Sequence, residues 1–253
     1  MIPKIIHYCW FGGSPLPEYA INCINSWKKY CPDYTIKEWN ESNFDVNACV
    51  YIKQAYENKK WAFVSDYARF WILYNYGGIY LDTDVEIIKP IDSIVHNGAF
   101  MGYEAYCNIE FLNPGHEHLI NPGLGMGARK GMEFYKKILD YYDSQKFIKD
   151  DGTINICTVV ERVTEQLKKE EINLDGNITI VNDITIYPED FFCPLNYANG
   201  KLNITDNTVS IHHYETSWQS KKDKFKMSVK RRLPSKLVSF IMRLKSWFKY
   251  AKN

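Results

Sequence analysis

Apolar and polar residues follow one another along the first third of the chain in patterns that predict alternating strands and helices. Short apolar runs bounded by turn residues predict strands over residues 4–10, 35–39, 79–81 and 85–88. Apolar positions at helical spacing predict helices over residues 19–30, 47–58 and 62–76. The third helix is apolar on nearly every side and ends at Gly77-Gly78, so we expect it to lie in the core.

The same alternation continues up to residue 213. Further strands are predicted over residues 99–103, 178–181, 185–187 and 209–213, and further helices over residues 131–142 and 154–169. Interleaved strands and helices are typical of an α/β domain. We therefore predict the α/β fold class, with a mixed, mostly parallel sheet flanked by helices.

Charge divides the chain near residue 220. Residues 221–253 contain twelve Lys or Arg and one acidic residue, a formal charge of +11, so residues 1–220 carry −10 of the net +1. An acidic body of this kind disfavours nucleic acid as a partner. The change in composition predicts one domain over residues 1–220 and a basic tail over residues 221–253.

The basic tail has an amphipathic pattern. Five large apolar residues recur in it at helical spacing: Leu237, Phe240, Ile241, Leu244 and Phe248. A basic amphipathic helix is attracted to anionic lipid and buries its apolar face in the membrane surface. We expect the tail to bind an anionic membrane surface, and a helix docked onto the domain is the alternative.

The composition limits the class of protein and the cellular compartment that the sequence predicts. The chain has 253 residues, of which 45% are hydrophobic and 24% charged, which excludes a disordered chain and a coiled coil. Its seven cysteines are odd in number and include no C-x-x-C pair, which indicates reduced thiols. The first residues are too polar for a signal peptide, and no run of about 18 apolar residues predicts a membrane span. We expect a cytoplasmic protein, peripheral on the inner face of the plasma membrane.

Two carboxylates stand directly after the strand predicted at residues 79–81. Asp82 and Asp84 are two positions apart, so both can reach one hard cation, and such a cation neutralises phosphate. A solvated turn is the alternative for a bare Asp-x-Asp pair. The position favours a site, because open α/β sheets bind ligands outside the carboxyl ends of their strands. The glycine-rich residues 121–131, by contrast, match no phosphate-loop spacing.

Asp66 and Arg69 lie three positions apart on the apolar helix before that strand. They share one helix face, and charged groups buried there need a partner. Two interpretations stay open. One is an intrahelical ion pair, and the other is contact of Asp66 with ribose or sugar hydroxyls and of Arg69 with sugar or phosphate oxygens.

Aromatic and imidazole groups follow two other predicted strands. Trp10 closes the first strand, where its ring can stack on a nucleobase or fill the core. His212 and His213 close the last strand, and neighbouring strand residues point to opposite faces, so we expect at most one of them to reach the site. The residues after them offer a metal ligand, a hydroxyl group and a ring, or form only a polar loop: Glu215, Ser217 and Trp218.

Together these segments resemble glycosyltransferase family 32, the sugar transferases with a DXD motif that include initiating mannosyltransferases and capsular polysaccharide enzymes. The segments that carry the resemblance are PKIIHYCWFGG, SWKKYCPDY, AFVSDYARFWILYNYGGIYLDTDVEI and IHHYETSW. The resemblance implies a GT-A fold of the Rossmann-like type. It also implies a distant similarity to the glucosyltransferase domains of large bacterial toxins.

The resemblance implies a role for each candidate residue. Donor binding is implied for Trp10, Asp66, Arg69, Tyr80, Asp82, Ser217 and Trp218. Binding of Mn²⁺ or Mg²⁺ is implied for Asp82 and Asp84, with His212, His213 and Glu215 as candidates for a further ligand. The catalytic set that the resemblance implies is Asp82, Asp84 and Arg69: the cation held by the two aspartates and the guanidinium of Arg69 would stabilise the departing diphosphate.

The resulting hypothesis is a metal-dependent hexosyltransferase that uses a UDP- or GDP-sugar and a glycan or lipid-linked acceptor in cell-surface or capsular polysaccharide synthesis. The resemblance implies retention of the anomeric configuration. A haloacid-dehalogenase-like phosphohydrolase is one alternative, because a strand followed by Asp-x-Asp is its nucleophile motif, although that motif normally ends the first strand. A membrane-surface glycan-binding module is another, which an aromatic share of 15% would suit.

Overall fold

The computed structural model of the chain describes residues 1–105, 118–197 and 199–215. The basic tail, the boundary near residue 220 and the candidate donor-binding residues Ser217 and Trp218 lie outside the described residues. No helix of the described residues is long and apolar enough to cross a membrane.

Strands and helices alternate along the described residues. The strands are β1 (Ile5–Cys9), β2 (Thr35–Trp39), β3 (Gly78–Tyr80), β4 (Val85–Ile87), β5 (Ala99–Gly102), β6 (Met126–Ala128), β7 (Thr179–Val181), β8 (Ile184–Tyr187) and β9 (Ser210–His212). The helices are α1 (Glu18–Tyr30), α2 (Val50–Glu57), α3 (Trp61–Tyr76), α4 (Asp92–His96), α5 (Glu133–Asp143), α6 (Val159–Lys168) and α7 (Glu189–Phe192).

Seven of these strands form the main sheet, in the order β2-β1-β3-β6-β5-β8-β7. β1 pairs in parallel with β2 and with β3, and β5 pairs in parallel with β8. β6 lies antiparallel between β3 and β5, and β7 pairs antiparallel with β8. Five of the seven strands therefore run in one direction, and β4 and β9 form a separate antiparallel pair. The predicted α/β fold with a mixed, mostly parallel sheet is confirmed.

The main sheet separates two apolar cores, because successive strand residues point to opposite faces. Tyr80 of β3 packs into the core that holds α2, α3, α5 and α6. Its neighbours Ile79 and Leu81 pack into the other core, against α1 and β4. Helices thus cover both faces of the sheet, as a buried parallel sheet requires.

The corner between α3 and β3 depends on two glycines. Gly77 and Gly78 both have positive φ, +67° and +102°. A Cβ on Gly78 would lie 2.7 Å from the carbonyl oxygen of Ile5 and 2.9 Å from Nε2 of His7. Only glycine allows the chain to pass so close to β1 and begin β3 in register with it.

Four elements differ from those expected. The glycine-rich residues 121–131, for which no strand was predicted, contain strand β6 in the middle of the sheet. The short helices α4 and α7 were not predicted, since four or five residues carry too little periodicity. The helix expected from residue 154 begins at Val159, where the Thr158 hydroxyl and the Glu161 carboxylate form a capping box.

Candidate active site

The carboxyl ends of β1 and β3 lie side by side and define one edge of the main sheet. His7 of β1 pairs with Tyr80 of β3, and the carbonyl of His7 accepts the N–H of Leu81 at 3.1 Å. The chain then turns through Asp82 and Asp84 into β4, and the N–H of Val85 closes the turn on the carbonyl of Asp82 at 3.1 Å. The structure therefore places the Asp-x-Asp pair at the strand ends, where ligands bind in open α/β sheets.

Arg69 of α3 joins two of the candidate carboxylates. Its Nη2 lies 3.0 Å from Oδ1 of Asp66 and 3.2 Å from Oδ1 of Asp82. The hydroxyl of Tyr80 donates to the same Asp82 oxygen at 3.0 Å, and the guanidinium lies 4.9 Å above the Tyr80 ring. The intrahelical ion pair considered from the sequence is present, and it also extends to the Asp-x-Asp pair. Nη1 of Arg69 is buried and has no hydrogen-bond partner among the described residues.

Burial governs the ionisation of these carboxylates. Burial raises the pKa of Asp66 to about 6, although the positive charge of Arg69 opposes it. Burial also raises the pKa of Asp82, again against the charge of Arg69, and the negative charge of Asp84 raises it further. The positive charge of Arg69 therefore favours the ionised form of both buried carboxylates.

The end of β9 meets Asp84. β9 pairs with β4 so that His212 lies opposite Val85, and Nε2 of His212 is 3.2 Å from Oδ1 of Asp84. The backbone N–H of Glu215 donates to Oδ2 of the same carboxylate at 2.9 Å. His213 points away and pairs with Glu86 at 2.9 Å. One histidine of the pair thus reaches the Asp-x-Asp pair, and the other does not.

These contacts couple the charges of His212 and Asp84. Burial alone would lower the pKa of His212, but the negative charge of Asp84 and its hydrogen bond raise it. Burial alone would raise the pKa of Asp84, and the charge and hydrogen bond of His212 instead lower it to about 2. The two groups attract each other strongly across the β4–β9 pair.

Asp82, Asp84 and His212 form a group with the chemistry of a metal site. One ligand atom from each lies within 4.8 Å of the other two. Carboxylate oxygens suit Mg²⁺ and Mn²⁺, and imidazole is a common further ligand of transition metals. The residues therefore fit a divalent cation, with Glu215 contributing its backbone N–H to Asp84.

Trp10 follows β1 at the same sheet edge and is half-buried. Its indole N–H donates to the carbonyl of Ser14 at 2.6 Å, and its backbone N–H donates to the carbonyl of Trp39 at 2.8 Å. In the loop that follows, the N–H of Gly12 donates to the carboxylate of Glu41 at 2.6 Å. The loop after β1, which carries the Trp10 ring, is thus fixed by hydrogen bonds.

The glycine-rich segment contributes to the site in a way that spacing rules missed. Asn121 is buried, and its Oδ1 accepts the N–H of Gly123 at 2.8 Å, which forms a tight turn. The carbonyl of Gly123 accepts the N–H of Asp82 at 3.3 Å, and a Cβ on Gly123 would collide with Oδ2 of Asp82. Asn-Pro-Gly is itself a turn signature, which is the signal that could have identified this segment.

The comparisons with known proteins agree with this geometry. Residues 17–101 match the family model described as the glycosyltransferase sugar-binding region containing DXD motif. The matched residues include α3 and the Asp-x-Asp pair. Residues 17–101 are thus similar to the DXD region of glycosyltransferases. The resemblance to these transferases that the sequence indicated is confirmed for this part of the chain.

Named relatives cover the chain to different extents. Inositol phosphoceramide mannosyltransferase 1 of Schizosaccharomyces pombe is 30% identical over 111 residues, which is 40% of this chain and 33% of that protein. The match therefore spans about a third of the yeast protein's length. An uncharacterized glycosyltransferase of Acanthamoeba polyphaga mimivirus is 25% identical over 86% of this chain and 84% of its own. The solved PaToxG glycosyltransferase has 20% identity and a TM-score of 0.49, and the alignment covers 67% of this chain and 70% of that one.

Proposed function

We propose that the chain transfers a hexose from a nucleoside-diphosphate sugar to a glycan or lipid-linked acceptor, and that a divalent cation, Mn²⁺ or Mg²⁺, is required. The observation that carries this proposal is the meeting of Asp82, Asp84 and His212 within 4.8 Å at the sheet edge. The relative named as a mannosyltransferase supports a hexose as the transferred sugar.

The three residues would hold the cation, and a cation bound there supplies positive charge to the diphosphate leaving group. Arg69 provides a second, permanent positive charge. Asp66 and Asp82 fix its Nη2, while Nη1 has no partner among the described residues and would donate a hydrogen bond to an oxygen of the sugar nucleotide. Asp66 and Tyr80 orient Arg69 and Asp82. Trp10 offers a ring to the nucleobase at the same edge.

Retention of the anomeric configuration, by attack on the face from which the diphosphate leaves, is part of the proposal, and the family resemblance supports it. A role in cell-surface or capsular polysaccharide synthesis would place the acceptor at the membrane. The basic residues 221–253 support that location, because their +11 charge attracts anionic lipid. Removal of residues 221–253 should abolish cosedimentation with anionic vesicles and spare donor hydrolysis; unchanged cosedimentation would contradict a membrane role for the tail.

The experiment that tests the function is a nucleotide panel with and without metal. UDP and GDP are added to the protein with Mn²⁺, with Mg²⁺ and with EDTA, and the unfolding temperature is followed. We expect one diphosphate to stabilise the protein only when metal is present, because a ligand that binds the native state alone shifts unfolding. A panel of UDP- and GDP-sugars then identifies the donor by metal-dependent release of free sugar.

Asp84→Asn is the decisive variant, with Asp183→Asn as its matched control. Asp84 lies in the metal group, whereas Asp183 forms an exposed ion pair with Arg129. Asp84→Asn should abolish both the metal-dependent stabilisation and sugar release, and Asp183→Asn should preserve both. Turnover retained by Asp84→Asn would remove the cation from the proposed function.

A further inference from the structure

The segment that carries His212 is attached to the body of the protein through Tyr214. The hydroxyl of Tyr214 donates to Oε1 of Glu104 at 3.0 Å and lies 2.9 Å from Sγ of Cys193. Its ring contacts the imidazole of His212 edge-on, with ring centroids 4.2 Å apart and an interplanar angle of 83°. Tyr214 adopts this position with a φ of +54°, in the left-handed region that non-glycine residues rarely occupy. The surrounding contacts must hold that backbone in place.

Glu104 links this segment to the turn beneath Asp82. Its Oε1 also accepts a hydrogen bond from Nδ2 of Asn121 at 3.3 Å. Oδ1 of the same Asn121 accepts from Gly123, which packs directly against Asp82. One carboxylate oxygen therefore joins the side of the site that bears Asp82 to the side that bears His212.

His212 lacks the support that usually orients a metal-binding histidine. Such a histidine nearly always donates its second ring N–H to a carboxylate, carbonyl or water. Nε2 of His212 faces Asp84, but its buried Nδ1 has no hydrogen-bond partner among the described residues. The orientation of the imidazole must therefore come from packing. The ring of Tyr214 provides such a packing contact with the imidazole of His212.

We propose that Tyr214 and Glu104 are positioning residues that hold the imidazole of His212 toward Asp82 and Asp84 and so determine the affinity for the divalent cation. This inference rests on the proposed function, because it assigns a task within the same metal group. Tyr214 acts through its ring on His212, and Glu104 acts by fixing the Tyr214 hydroxyl. Neither residue needs to touch the donor or the reacting atoms.

The test measures Mn²⁺ binding to the full-length protein by the electron paramagnetic resonance signal of free Mn²⁺, without nucleotide. Tyr214→Phe keeps the ring and removes the anchor, so the Kd for Mn²⁺ should rise about tenfold, as for residues that orient metal ligands. Glu104→Gln should bind Mn²⁺ like the wild type, because its amide oxygen can accept the same two hydrogen bonds. Glu104→Asp is too short to reach Tyr214 and should weaken binding as Tyr214→Phe does.

Two further variants separate positioning from general stability. Tyr103→Phe is the matched control, since the hydroxyl of Tyr103 lies 3.3 Å from Thr179 Oγ1 and belongs to a different hydrogen bond. It should leave the Kd for Mn²⁺ unchanged. The double variant Glu104→Asp/Tyr214→Phe should bind Mn²⁺ no more weakly than Glu104→Asp alone, because both substitutions break the same hydrogen bond between Glu104 and Tyr214.

Three results would overturn the inference. Wild-type Mn²⁺ affinity in Tyr214→Phe and Glu104→Asp would show that the contact does not position His212. A loss of Mn²⁺ affinity in Glu104→Gln as large as that in Glu104→Asp would show that the charge of Glu104, and not its hydrogen bond to Tyr214, determines the affinity. A wild-type protein that binds no Mn²⁺ would contradict the proposed function together with this inference. Failure of the inference alone looks different, because the wild type then binds Mn²⁺ and the variants bind it equally well.

Discussion

The indole N–H of Trp39 donates a hydrogen bond to Nδ1 of His7 at 3.0 Å, across the parallel pair formed by β1 and β2. Nδ1 is therefore the acceptor of a neutral imidazole, and Nε2 carries the proton that it donates to the carbonyl of Gly77 at 2.9 Å. His7 is fully buried. This histidine fixes the glycine corner that leads from α3 into β3 and the Asp-x-Asp pair.

The His7 contacts predict an acid-sensitive fold. Burial lowers the pKa of His7 from 6.5 to about 4, so the unfolded chain takes up this proton at a higher pH than the native protein does. The contribution of neutral His7 to the free energy of unfolding is complete above pH 6.5. It is lost as the pH falls toward 4, which lowers the free energy of unfolding by about 3 kcal/mol in total. Urea unfolding across this range should show the loss, and His7→Gln should flatten the profile. His96→Gln, at an exposed position, is the matched control, and an unchanged acid slope in His7→Gln would contradict the prediction.

Arg69→Met should destabilise the protein strongly. The substitution leaves Asp66 and Asp82 as buried carboxylates without their shared guanidinium, and breaking such a pair costs about 3–5 kcal/mol. Adding Asp66→Asn to Arg69→Met should recover part of the loss, because it removes one of the uncompensated charges. Urea unfolding measures each step.

The control for Arg69 is the exposed pair of Arg129 and Asp183, whose side chains are 61% and 77% exposed. Arg129→Met should change the free energy of unfolding by less than about 1 kcal/mol. Equal effects of the two substitutions would mean that burial of the Arg69 network contributes nothing.

Gly123→Ala should impair metal binding with little change in the fold. The added Cβ would collide with Oδ2 of Asp82, so the carboxylate must leave its place in the metal group. We expect the Kd for Mn²⁺ to rise by about tenfold or more. Gly131→Ala is the control, since a Cβ there meets no atom within 4 Å and only the positive φ of +76° is strained. Equal Mn²⁺ affinity in the two variants would contradict the role of Gly123.

Trp10→Ala should weaken nucleotide binding more than catalysis. If the ring stacks on the nucleobase, its loss should raise the Kd of the nucleoside diphosphate about tenfold, since stacking on one base contributes about 1–3 kcal/mol. Trp10→Phe retains a ring and should recover most of the affinity. Parallel measurement of Kd and kcat checks this, and a fall in kcat with unchanged Kd would place Trp10 in the chemical step instead.

Local signals were sufficient to predict most of the fold. The apolar runs and helical spacing located β1, β2, β3 and α3, and the strand-end position of Asp82 and Asp84 followed directly from them. β6 escaped prediction because Met126, Gly127 and Ala128 offer a strand no β-branched or aromatic residue. Gly127 is required there for a tertiary reason, since a Cβ would collide with the ring of Phe100 on β5. The residue pattern within one segment cannot predict this contact with another strand.

The candidate site was predictable only in part for the same reason. Asp66 and Arg69 were recognisable because they lie on one helix, but the ion pair of Arg69 with Asp82 was not predicted. The choice of His212 over His213 depends on how β9 pairs with β4, which is a long-range contact. The contribution of Glu104 depends on a hydrogen bond to Tyr214 across a large sequence separation. Such contacts are set by the assembled tertiary structure.

The β4–β9 pair also has a consequence for synthesis of the protein. Asp84 precedes β4 in the first half of the chain, and its imidazole neighbour lies at the end of β9. Asp82 and Asp84 are therefore synthesised long before His212. A growing polypeptide holds an incomplete metal group until its last described strand emerges, so the proposed activity begins only after His212 has been translated.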